Sequence, residues 1–267
     1  YMADYIVSVE AVLVDGSVVE FRNDIDPESE PDRKLASLAA ESLSLLSENQ
    51  AVIEKALPKA SRNRSGYNIA GVCHDGRIDL AKMLVGSEGT FGIFTRIVLR
   101  TVDVPPATGL LQLEFDSLAK MAQAVPIIVD SGASACELMD QRLIRLAFDA
   151  LPQYRDILPA NAAAVLLVEH VGENDTEVRE KLEMTDFAVG SIADGRRIVL
   201  DQAEQKRLWK SRNDAGPLLF RNKGKKHPAE FMEDVSVPHD RLGEYIAGLE
   251  RISKKSVSYT HLTLPTN

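Results

Sequence analysis

The sequence predicts an α+β fold in two parts, and three observations predict it. Between residues 110 and 220, strand-like and helix-like stretches alternate with short connections, the pattern of helices layered on one face of a sheet. Val104-Pro105-Pro106 and Gly109 interrupt the chain just before that alternation begins and mark a boundary. Ahead of the boundary, a glycine-punctuated loop at Gly86, Gly89 and Gly92 leads from a short helical stretch, 79–84, into a β-branched run, 93–98. That run reads as a buried strand.

Residues 6–14 alternate apolar and polar side chains, Asp15-Gly16 follows, and residues 18–21 continue the strand pattern. Asp-Gly between two such runs is a hairpin signal. Residues 24–32 are rich in proline and acid and read as a loop. Leu35, Leu38, Ala39, Leu45, Leu46, Val52, Ile53, Ala56 and Leu57 recur at helical spacing, with a break at Ser47-Glu48-Asn49 and a stop at Pro58. Residues 59–71 then form a basic, polar loop with Arg62, Asn63, Arg64 and Tyr67. Cys73, His74 and Asp75 are three metal-capable residues in a row. Consecutive side chains on extended backbone face opposite ways, so no metal site is expected there.

Beyond the boundary the expected order is strand 110–115, helix 117–129, strand 135–139 and helix 141–151. Strand 162–170, helix 176–187, strand 196–200 and helix 203–220 follow.

The protein is acidic, with a formal net charge of −9 over 267 residues, which argues against nucleic acid and anionic lipid as partners. Its two cysteines, Cys73 and Cys136, lie far apart without a C-x-x-C partner. That excludes a cysteine-ligated cluster within this chain and fits a reducing, cytoplasmic compartment. No apolar run approaches the ~20 residues of a spanning helix.

Gly86-Ser87-Glu88-Gly89-Thr90-Phe91-Gly92-Ile93, followed by Thr95 and Val104-Pro105-Pro106, resembles the flavin-contacting segment of the FAD-linked oxidases and dehydrogenases of the vanillyl-alcohol oxidase/PCMH superfamily. The D-lactate, glycolate and D-2-hydroxyglutarate dehydrogenase branch is the most similar. The order helix, loop, strand is not that of a dinucleotide-binding G-x-G-x-x-G site, which needs strand, loop, helix. Arg62-Asn63-Arg64-Ser65-Gly66-Tyr67 resembles the family's N-x-x-G-Y segment beside the flavin. Cys136-Glu137-Leu138-Met139-Asp140 resembles its E-L-M-D strand end, and Leu208-Trp209-Lys210-Ser211-Arg212 its L-W-x-x-R helix. Phe231 to Pro238 resembles the F-x-E-D-x-x-V-P passage of large members fused to iron–sulfur domains.

The resemblance implies residues 1–104 as the C-terminal part of a PCMH-type FAD-binding domain whose N-terminal lobe is missing. It implies 105–255 as a truncated, ferredoxin-like FAD-linked oxidase cap. Residues 256–267 read as the translation of a sequencing-library adapter, foreign to the fold. FAD contacts are implied for Gly86, Ser87, Glu88, Gly89, Thr90, Gly92, Ile93, Asn63 and Tyr67. Arg212 is implied as the guanidinium that holds a substrate carboxylate, a role its planar fork of donors suits.

The implied substrate is a small anionic D-2-hydroxy acid, oxidised by hydride transfer to the flavin. Electrons pass to an electron-transfer domain or subunit carrying an iron–sulfur, quinone or cytochrome acceptor. The full-length enzyme is expected in the cytoplasm or peripheral to the inner face of the membrane. The family's H-x-G-x-G-x-x-H motif is absent, so neither a catalytic base nor a metal ligand is expected within this chain, and any iron–sulfur cluster belongs to a missing C-terminal region. Met232 stands where the hydroxyglutarate-type relatives carry a lysine, so the resemblance does not extend to that substrate contact. Three other functions are compatible with the same motifs. They are an FAD-dependent alkylglycerone-phosphate synthase-like transferase, a sugar oxidase of the superfamily, and a non-catalytic α+β binding module.

Overall fold

The computed structural model describes residues 1–60, 66–218 and 235–255. The chain divides into two compact units, Tyr1–Asp103 and Val104–Asn267.

In the first unit a short helix α1 (Met2–Tyr5) leads into β1 (Ile6–Val12), which turns through Asp15-Gly16 into β2 (Val18–Arg22). Val12 lies opposite Val18, and Gly16 adopts φ +81°, the left-handed backbone that glycine accepts without a Cβ penalty. Asp32 caps α2 (Arg33–Glu48), accepting from the Lys34 and Leu35 amides. Asn49 separates α2 from α3 (Gln50–Ala56) at the break that its flanking polar residues signal. A two-residue hairpin, β3 (Cys73–His74) and β4 (Arg77–Ile78), precedes α4 (Leu80–Leu84) and β5 (Ile93–Leu99). The sheet order is β2-β1-β5, all antiparallel. Its core gathers Val9, Ala11, Val19 and Phe21 with Leu35, Ala39, Ile78, Leu80 and Leu84.

The expectation of a buried strand at 93–98 is corrected. β5 forms, but among the described residues it is an edge strand that pairs only with β1, and Ile93 and Ile97 are 72% and 52% exposed. A β-branched run reports pleated backbone; it does not report what covers the pleat.

The second unit is built on an antiparallel sheet ordered β7-β8-β6-β9. Its strands are β6 (Ala107–Phe115), β7 (Ala135–Asp140), β8 (Ala164–Gly172) and β9 (Gly195–Val199). Helix α5 (Leu118–Asp130) joins β6 to β7, and α7 (Asp175–Val189) joins β8 to β9. This is the β-α-β-β-α-β, ferredoxin-like arrangement. Helix α6 (Gln141–Ala150) lies between β7 and β8, α8 (Gln202–Leu218) follows β9, and α9 (Leu242–Lys255) comes last.

The expectation of helices on one face is half of what forms. Leu111, Leu113, Phe115, Leu166 and Val168 pack under α5, α7 and α9, whereas Leu110, Met139, Val165, Leu167 and Val199 pack under α6 and α8. Val165-Leu166-Leu167-Val168 is a continuous apolar run because both faces of β8 are covered. Gly109, expected at the boundary, lies inside β6. A Cβ there would stand 2.7 Å from both Leu182 and Val178 of α7, so the glycine lets that helix seat closely on the sheet.

Candidate functional site

The glycine loop begins where α4 ends. Asp79, the N-cap position of α4, is buried, and its carboxylate accepts from the Asp24 amide at 2.8 Å, approaches His74 Nε2 at 3.3 Å and pairs with Lys82. Burial alone would raise this carboxyl. Lys82, the Asp24 amide and His74 outweigh it and hold the group below the ordinary carboxylate range. His74 therefore faces a structural carboxylate. Among the described residues no group of three metal-capable side chains comes together.

After α4 the backbone folds back on itself. The Ser87 amide donates to the Leu84 carbonyl at 3.2 Å, and the Thr90 amide and hydroxyl both donate to the Ser87 carbonyl, at 3.0 and 2.6 Å. Gly86 and Gly89 have φ of +78° and +75°, and Glu88, a non-glycine, has φ +52°. A Cβ on Gly86 or Gly89 would meet no protein atom within 4 Å. At Gly92 it would stand 2.7 Å from the Val12 carbonyl oxygen, so that glycine is required by the close approach of β1. Ser87 is only 2% exposed, and among the described residues its hydroxyl has no hydrogen-bond partner. Positive-φ backbone, space at two glycines and a buried hydroxyl without a partner are features that fit a loop laid against the polar edge of a flavin.

Tyr67 stacks on Phe91 of the same loop, ring centroids 4.5 Å apart and tilted by 31°. Asn68 Nδ2 donates to the Lys82 carbonyl at 3.0 Å and ties the Tyr67 segment to α4. The structure thus brings Tyr67 to the loop through Phe91. Asn63 lies outside the described residues, as do Met232 and the stretch 256–267. Ile93 opens β5 and is exposed.

In the second unit Arg212 sits on α8, on the face that meets the sheet. Its Nε and Nη2 lie 3.1 and 3.0 Å from the same oxygen, Glu137 Oε2 on β7. One turn earlier Trp209 donates its indole N–H to Glu169 Oε2 on β8 at 3.2 Å, and Ser134 Oγ donates to Glu169 Oε1 at 3.0 Å. Trp209 packs against the α6/α8 core. Near the same helix, Tyr154 donates to Asp214 at 2.6 Å and Lys210 pairs with Asp214. Asp140, the last residue of the E-L-M-D stretch, caps α6 by accepting from the Leu143 amide at 2.8 Å.

Glu137 and Glu169 are the residues that reading the sequence as strands and helices passes over. Each looks like an ordinary strand carboxylate, and their partners on α8 lie 75 and 40 positions away. Cys136, beside Glu137, faces the other side of the sheet. Burial pushes its thiol up to about 12, so it carries no thiolate at neutral pH.

Residues 104–264 match the family described as FAD linked oxidases, C-terminal domain. The chain is 31% identical over 180 residues to the glycolate oxidase subunit GlcD of Escherichia coli, a match covering 66% of this chain and 34% of that protein. It is 26% identical over 217 residues to the D-2-hydroxyglutarate dehydrogenase of the same organism, covering 75% of this chain and 21% of that protein. A GlcD from Bacillus subtilis is 30% identical over 184 residues, covering 66% and 37%. The chain therefore spans about a third or less of the length of these relatives. Among solved structures, a 4-ethylphenol oxidase from Gulosibacter chungangensis overlays with a TM-score of 0.48 at 11% identity, covering 95% of this chain and 47% of that one.

Proposed function

This chain belongs to the family of FAD linked oxidases, C-terminal domain, and from that premise we propose that it is part of an FAD-dependent dehydrogenase of a D-2-hydroxy acid. D-lactate, glycolate and D-2-hydroxyglutarate are the candidate substrates. The observation that carries the reading is Arg212, a guanidinium held in one orientation on α8 by Glu137. A fixed planar fork suits the one feature that all three substrates share, a carboxylate beside the carbon to be oxidised. The names of the relatives, glycolate oxidase and D-2-hydroxyglutarate dehydrogenase, support the same class.

FAD, when bound, supplies a two-electron acceptor for the hydride leaving Cα. The chain's own residues have two tasks around it. The loop 86–93 offers its positive-φ backbone and the open space at Gly86 and Gly89 to the cofactor, with Tyr67 stacked on Phe91 beside it. Arg212 holds the substrate carboxylate, which fixes the direction of the Cα–H bond and removes the entropy cost of orienting it in the transition state. No residue of this chain is assigned the hydroxyl proton; the base is proposed to come from a further part of the protein. So is the iron–sulfur, quinone or cytochrome acceptor that reoxidises the system.

The test is anaerobic mixing of the full-length, FAD-loaded protein with each hydroxy acid. Bleaching of the oxidised flavin band by at least one of them is expected. A flavin that none of the three reduces, in a protein that turns over an acyl glycerone phosphate, would instead favour the transferase chemistry.

A further inference from the structure

The reading of Arg212 as the carboxylate anchor says nothing about why its guanidinium is so tightly paired. Glu137 is 13% exposed and Arg212 26%, so the pair is largely withdrawn from water. Its geometry is one-sided. Nε and Nη2 converge on a single oxygen, Glu137 Oε2, which occupies the lateral edge of the guanidinium. Among the described residues nothing accepts from Nη1. A guanidinium has five N–H donors, so the Nη1/Nη2 end of the fork retains a pair of donors in one plane.

The support beneath this pair is rigid. Trp209 and Arg212 lie three residues apart on α8, hence on one face. Glu169 and Glu137 sit on adjacent strands, with Ala135 opposite Glu169 and Glu137 opposite Leu167. The two carboxylates therefore share one face of the sheet, two positions apart. Helix α8 is pinned at two successive points to the same pair of strands, and Ser134 fixes Glu169 in turn.

We propose that Glu137 is a positioning residue. It fixes the lateral edge of Arg212 so that the Nη1/Nη2 end is the one presented to a substrate carboxylate, with Trp209–Glu169 setting the rotation of α8. This rests on the reading of Arg212 given above. Two consequences have opposite signs. Neutralising Glu137 removes an anion that competes for the guanidinium, so affinity for a carboxylate is kept or rises. It also loosens the fork, so the bound acid is held less well for hydride transfer.

Steady-state kinetics on the full-length, FAD-loaded protein read both. Glu137→Gln is expected to lower kcat about tenfold with KM unchanged or lower, a split that general destabilisation does not produce. In an Arg212→Lys background, where no fork exists to be aimed, Glu137→Gln is expected to have no further effect on kcat. Glu137→Asp, which keeps the charge but shortens the reach, is expected to lower kcat as well and covers the case in which the glutamine variant does not fold. Unchanged kcat and KM in both Glu137 variants, or an equal loss in the Arg212→Lys background, would overturn the inference. If Arg212→Ala itself leaves kcat/KM intact, the reading of Arg212 fails and takes this inference with it. A crippled Arg212→Ala beside a silent Glu137→Gln removes the positioning role only.

Discussion

His170 is a buried imidazole held by hydrogen bonds inside the second unit. It lies on β8, its Nε2 is 2.9 Å from the Thr185 hydroxyl of α7, and the Ser131 hydroxyl approaches it at 3.4 Å. Burial, with the Lys181 ammonium adding to it, pushes its pKa below the ordinary histidine value. The folded state therefore holds this ring neutral where the unfolded chain would protonate it. The associated stability is complete above the unfolded value of about 6.5 and is lost as pH falls through that value toward the lower folded one. Thermal unfolding followed across this window should show Tm falling on acidification, and His170→Gln should flatten the fall. An unchanged slope in the variant would assign the acid sensitivity to other groups. Asp79 illustrates the converse balance: a buried carboxylate kept charged by Lys82, His74 and a backbone amide.

Among the elements, the packing of α7 over β6 depends on the missing side chain of Gly109. A Cβ at that position would stand 2.7 Å from Leu182 and Val178 and 2.9 Å from Leu200. These are side-chain atoms beneath a helix, so Gly109→Ala should be accommodated by displacing α7, at a cost of about 1–3 kcal/mol. Chemical denaturation should register that loss, and a variant as stable as the parent would mean the helix is less closely seated than it stands. The glycine is plain in the sequence, but its use is not: beside Val104-Pro105-Pro106 it reads as part of a boundary, and only the crossing of α7 reveals it as an interior position. The eight strands and helices from 107 to 218 were otherwise legible, because apolar spacing and caps at Ser117, Asp140 and Asn174 act locally. Helix α9 has no counterpart among the elements expected from the sequence, although Leu242 and Ile246, four apart and buried against the α5 side, carry the helical period. The exposure of β5 was not legible at all, since the strand signal contains no information about a covering partner.

For the whole molecule, the separation into units at Asp103/Val104 falls in the strand-free stretch between β5 and β6, which holds Pro105 and Pro106. The candidate site was legible in part. The glycine loop and the arginine of α8 stand out only through their resemblance to family motifs, since by local pattern the first also reads as a tight connection and the second as one cation among Lys206, Arg207 and Lys210 on a charged helix. Glu137, which accepts from Arg212, and Glu169, which accepts from Trp209, do not stand out, because tertiary pairing across 75 and 40 residues leaves no trace in local pattern. The central claim is that Arg212 anchors the substrate carboxylate in a flavoenzyme whose cofactor is held independently by the 86–93 loop. It is tested most directly by measuring kcat/KM for the reactive 2-hydroxy acid in Arg212→Ala, alongside the absorption spectrum of the bound flavin. Loss of a charge-assisted contact of a few kcal/mol predicts a drop on the order of a hundredfold with the flavin spectrum unchanged. An Arg212→Ala protein that keeps the parent kcat/KM would contradict the account.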